Sequence, residues 1–88
     1  MANNYNIYDA LPDTALAKHF REAGESLGNE ATVLGTIIRN LLATEGKVSN
    51  KSVILRLIMA LEATEDEAQA ATLRRTLEIV VGYTPDDA

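Results

Sequence analysis

The sequence predicts a small all-α protein, an antiparallel helical hairpin or bundle of three to four helices completed by homodimerisation. Three observations predict it. The chain has 88 residues, which allows one small domain, because a chain this short buries only about two thirds of its unfolded surface. Its core-forming residues are Leu, Ile, Val and Ala, with no Trp and one Phe, a composition that suits packed helices better than a sheet. Those residues also recur at helical spacing along most of the chain.

Residues 1–12 show neither the helical nor the strand period and close with Pro12, so they read as a flexible N-terminal tail whose Tyr5, Ile7 and Tyr8 can fold back onto the body. A single helical domain is expected over 13–82, with a C-terminal tail over 83–88. Asp13 stands where an N-cap is needed, just before Leu16, Phe20, Ala23 and Leu27 on one stripe. Gly24 and Gly28 weaken this first helix, since an internal glycine costs about 1 kcal/mol relative to Ala. The stretch 24–29 therefore reads either as a break or as helix held by packing.

From Glu30 the pattern sharpens. Ala31, Leu34, Ile37, Ile38, Leu41 and Leu42 form an apolar face, and Glu30, Thr36, Arg39 and Asn40 are assigned to water. Gly35 lies beside that face, where the missing side chain lets another helix come close. Gly46 is the natural residue to end the helix in a left-handed cap. Ser49 or Asn50 then caps a third helix through Val53, Ile54, Leu57, Ile58 and Leu61. Thr64, with Glu67 three residues later, has the spacing of a capping box for a fourth. Leu73, Leu77, Val80 and Val81 supply its stripe, and Gly82 and Pro85 stop it.

The third helix is apolar nearly all round. Arg56 is almost the only polar residue between Val53 and Leu61. Ile54, Leu57, Ile58 and Leu61 can pack within the chain, which leaves Leu55 and Met59 pointing elsewhere. Burying a Leu or Met side chain is worth roughly 1.5–3 kcal/mol, so a second copy placed over this surface stabilises a small fold considerably. The expectation is a two-fold homodimer with Leu55, Met59, Ile58, Leu34 and Ile38 in its interface. The competing reading has the fourth helix covering both sides of the third.

Composition narrows the function. Eight Lys and Arg against thirteen Asp and Glu leave a net charge of -5, which weighs against nucleic acid and membrane surfaces as partners. With no Cys there is no disulfide, thiolate nucleophile or thiolate metal site. No stretch resembles an export signal or reaches the length of a membrane span, so a cytoplasmic protein is expected. His19 is the sole histidine, the residue type whose charge changes near neutral pH. Nothing in the sequence around it provides a catalytic neighbour, and a half-exposed helix histidine is the simpler reading. No triad motif surrounds Ser26, Ser49 or Ser52. Glu62, Glu65, Asp66 and Glu67 lack the pattern of a calcium loop and read as capping and solvation. Neither catalysis, nor a metal, nor a cofactor, nor a small-molecule substrate is expected.

One charged feature remains. Arg39, Lys47, Lys51 and Arg56 surround the single acid Glu45. This locally basic segment is the candidate contact for DNA or an acidic protein partner, set against the plainer reading of a solvated helix junction. Arg74 and Arg75 add a second basic pair.

The residues also carry a family likeness. Ala15-Leu16-Ala17, Phe20-Arg21, Gly24 and Val33-Leu34-Gly35, followed by Asn50-Lys51, Ile54-Leu55, Leu57-Ile58, Leu61-Glu62, the run Thr76-Leu77-Glu78-Ile79-Val80, then Tyr83-Thr84 and Asp86-Asp87, resemble in order and spacing the YmgB/AriR biofilm-development family of enterobacterial regulators. The likeness covers roughly residues 9 to 88. Gly28 and Pro85 depart from the helix-favouring residues expected there. The resemblance implies a small all-α dimer that acts without catalysis, as a connector feeding signals into the Rcs two-component phosphorelay that controls biofilm formation and acid resistance. It implies, as the alternative, DNA binding by shape in the manner of Hha-type nucleoid modulators.

Overall fold

The helical periods resolve into four α-helices in the computed structural model, which describes residues 10–12 and 14–84. α1 spans Thr14–Ala23, a 3-10 turn spans Gly24–Leu27, α2 spans Gly28–Glu45, α3 spans Asn50–Ala63 and α4 spans Glu67–Gly82. No strand occurs among the described residues.

The interruption between α1 and α2 falls where the glycines weaken the helical run. Ser26 Oγ donates to the Ala23 carbonyl at 2.8 Å, and the backbone tightens into a 3-10 turn, a frequent connector at helix ends. The α2 helix then begins at Gly28, two residues earlier than the first strongly periodic position. Its end is as expected. Gly46 adopts φ 76°, and its N–H donates to the carbonyls of Leu41 and Leu42, both at 3.1 Å. A side chain is costly in that left-handed conformation, so glycine suits the position.

Ser49 begins α3 with a reciprocal cap. Its Oγ accepts from the Ser52 N–H at 3.1 Å, while Ser52 Oγ accepts from the Ser49 N–H at 3.0 Å. The start of α4 differs from the sequence expectation. Thr64 closes α3, its N–H donating to the Ala60 carbonyl, and the N-cap of α4 is Asp66, whose carboxylate accepts from the Ala68 N–H at 3.0 Å. Thr64 Oγ1 is taken up by the Asp66 N–H at 3.2 Å. An ionised aspartate satisfies the exposed amides at a helix start better than a threonine hydroxyl, because it also complements the dipole.

The α2, α3 and α4 helices pack on one another around Leu34, Ile38, Leu41, Val53, Leu57, Leu73 and Val80. Thr76 shares this apolar interior because its hydroxyl is satisfied locally, donating to the Thr72 carbonyl at 2.8 Å. Gly35 is buried on the inner face of α2. Leu16, Ala17 and Phe20 fix α1 to the same core.

Three assignments shift with the tertiary structure. Leu11 is buried in the core, so the end of the segment assigned to a flexible tail is anchored. Glu30, assigned to water, has a side chain only 13% exposed and sits 3.7 Å from Arg75 Nε on α4. Tyr83 and Thr84, assigned to the C-terminal tail, meet the body: the Tyr83 ring lies 5.5 Å from that of His19, and Thr84 bonds Asn50. The N-cap expected at Asp13, the folding back of Tyr5, Ile7 and Tyr8, and the tail from Pro85 lie outside the described residues.

Candidate interaction surface on the third helix

The face that α3 turns to the core carries Val53 and Leu57, fully buried, with Ile54, Ala60 and Leu61 half-buried beside them. On the opposite side Leu55 is 52% exposed and Met59 61%. The α4 helix therefore covers one side of α3 and leaves the other open. Ile58, which the sequence allowed either in the packing stripe or in the interface, is 38% exposed and lies with Leu55. Lys51 and Glu62, both exposed, bound this apolar strip at its two ends. Large apolar side chains grouped on one exposed face mark a binding surface more often than singly scattered ones do.

Leu34 and Ile38 do not belong to this surface. Both are 0% exposed and enclosed by their own chain, so they hold the helices together and are not available to a second molecule. Helical spacing placed them on an apolar face, but spacing alone does not say whether that face meets a neighbouring helix or another chain.

The basic candidates separate as well. Arg39, Lys47 and Lys51 are exposed. Arg56 reaches across to α2, donating to Asn40 Oδ1 and, at 3.3 Å, to Thr44 Oγ1, with Glu45 Oε2 at 3.5 Å. Its guanidinium is engaged in joining α2 to α3 and its charge is partly offset, which leaves three of the four open to an anionic partner. Arg75 is similarly drawn to Glu30.

A shallow groove of about 270 Å³ lies between α2, α3 and α4, lined by Thr32, Val33, Thr36, Ile37, Ala60, Gln69 and Leu73. Thr32 and Thr36 donate their hydroxyls to carbonyls four residues back on their own helix. The lining contains no titratable side chain, so the groove offers neither a proton donor nor a base. His19 is exposed on α1, edge-on to Phe20 and tilted against Tyr83. Among the described residues no group of three or more His, Asp or Glu is placed to hold a metal ion. No helix among them is long and apolar enough to cross a membrane.

Comparison with known proteins adds the relatives of this chain. Residues 26–83 match the model of the family described as biofilm development protein YmgB/AriR. Regulatory protein AriR of Escherichia coli O139:H28 (strain E24377A / ETEC) is 45% identical over 87 residues, covering 99% of each chain. The protein of the same name from Escherichia coli strain K12 / DH10B has the same identity and coverage, and that of Escherichia coli O1:K1 / APEC is 44% identical over 87 residues. No solved structure matches the chain. A family match that spans α2, α3 and α4, joined to relatives aligned from end to end, shows that the chain belongs to the YmgB/AriR biofilm development protein family.

Proposed function

We propose that this protein is a non-enzymatic cytoplasmic regulator that works by protein contact, as a homodimer, modulating the Rcs two-component phosphorelay and through it biofilm formation and acid resistance. The observation that carries this reading is the strip of Leu55, Ile58 and Met59 on α3, three large apolar side chains exposed on one face of a single helix. Covering such side chains is worth roughly 1.5–3 kcal/mol each at full burial, and a second copy supplies the cover. The remaining exposed surface, including Val81 and the acidic turn of Glu65, Asp66 and Glu67, then faces the signalling partner.

The printed name of the relatives, a regulatory protein, supports a role without catalysis. Direct DNA binding has less support, because the net charge is -5 and Arg56 is committed to Asn40, Thr44 and Glu45. The test is phosphotransfer through the purified Rcs relay, followed with and without the protein. A changed rate of phosphate transfer is expected. An unchanged rate at saturating protein removes the connector reading.

A further inference from the structure

We propose that α3 pairs antiparallel with α3 of a second copy, and that Lys51 and Glu62 set this register, Lys51 of each chain lying against Glu62 of the partner subunit. The inference rests on the homodimer reading above and specifies its orientation and the charges that choose it.

Lys51, Leu55, Ile58 and Glu62 are all exposed, and their spacing of four, three and four residues puts them on one face of the helix. That spacing reads the same in both directions. A two-fold axis crossing α3 between Arg56 and Leu57 therefore sets Leu55 against Ile58 of the partner subunit, and the reverse, with Met59 at the edge of the contact. The same axis brings each end of the strip to the opposite end on the other chain. At 1.5 Å per residue, Lys51 and Glu62 are about 16 Å apart along the helix, too far to pair with each other but placed to pair crosswise between copies. A parallel arrangement brings Lys51 to Lys51 and Glu62 to Glu62, so like charges oppose it.

A second observation is independent of the spacing. Lys51 occupies the first turn of α3 and Glu62 its last turn. A helix favours anions at its start and cations at its end, so both residues are placed against the dipole of their own helix. Among the described residues neither has a salt-bridge partner. Stability of the isolated helix accounts for neither charge at its position, whereas an antiparallel neighbour accounts for both at once.

The experiment is sedimentation equilibrium of the full chain at low salt, with circular dichroism to verify helix content. Lys51→Glu and Glu62→Lys each relieve the conflict with the dipole, so both variants are expected to fold. Each single variant turns two attractive contacts into two repulsive ones and is expected to weaken self-association by roughly ten-fold. The double variant Lys51→Glu, Glu62→Lys restores both contacts and is expected to associate like the wild type. An equimolar mixture of the two single variants is expected to form heterodimers in preference to either homodimer. Singles that associate like the wild type, or a double variant no tighter than the singles, overturn the register while leaving the dimer standing. A monomeric wild type overturns the homodimer itself, an outcome distinct from the first.

Discussion

Asn50 Nδ2, at the first residue of α3, donates to Thr84 Oγ1 at 3.0 Å, and that hydroxyl in turn donates to the Val80 carbonyl at 2.7 Å. The relay closes the end of α4 onto the beginning of α3, between residues 34 apart in sequence. A part-buried hydrogen bond of this kind contributes about 0.5–1.5 kcal/mol. Asn50→Ala and Thr84→Ala are each expected to lower unfolding stability by that order. In urea denaturation the double variant is expected to lose less than the sum, because the two residues share one interaction.

Two glycines are expected to respond in opposite directions. A Cβ at Gly28 meets nothing within 4 Å, and the residue has no positive φ, so Gly28→Ala is expected to stabilise by roughly 0.4–1 kcal/mol through the entropy of the unfolded chain. Gly46 sits at φ 76°, where a side chain is strained in open space. Gly46→Ala is expected to destabilise by about 1 kcal/mol. Thermal unfolding of the two variants beside the wild type reads both signs.

Position around α3 separates folding from association. Leu57 is fully buried, and Leu57→Ala is expected to cost roughly 2–5 kcal/mol of stability. Met59 is 61% exposed, and Met59→Asp is expected to leave the circular dichroism spectrum of the monomer unchanged while weakening self-association in light scattering. Unfolding of Met59→Asp at high dilution places Met59 in the core and refutes the surface assignment.

The ion pair of Arg56 with Glu45 is partly exposed, and such pairs contribute little, about 1 kcal/mol or less. Arg56 also bonds Asn40 and Thr44, so Arg56→Gln is expected to cost more than Glu45→Gln when the two are compared in urea. Neither change is expected to create or remove DNA binding. In a gel-shift assay a short duplex is expected to run unretarded at physiological salt, because a chain of charge -5 with Arg56 occupied releases few counterions. Salt-sensitive retardation lost in Arg39→Gln, Lys47→Gln, Lys51→Gln variants revives the nucleic-acid reading.

Local patterns were legible where one short segment contains its own reason. Gly46 follows an apolar face and needs only its own backbone to form a left-handed cap; Ser49, one of two candidates with Asn50, caps α3, and the reciprocal bond from Ser52 is the structure's addition. Thr64 and Asp66 show the limit, since both are good caps and the choice depends on where α3 stops. The exposed pair Leu55 and Met59 was also legible, because a helix apolar nearly all round has more surface than the neighbours packed on one side of it cover. Leu34 and Ile38 were not, for they satisfy the same spacing rule and yet face inward.

The amino-acid order by itself determined that this chain is helical, where α2 ends, where α3 begins and where α4 ends, and that α3 has more apolar surface than one side can hide. Those properties arise from neighbours within one or two turns. The tertiary structure decided which apolar face is inside, that Glu30 is withdrawn toward Arg75 and Arg56 toward Asn40, and that Thr84 returns to Asn50. These depend on how α2, α3 and α4 rotate against one another, and rotation is set by the packing of the whole core, to which every helix contributes.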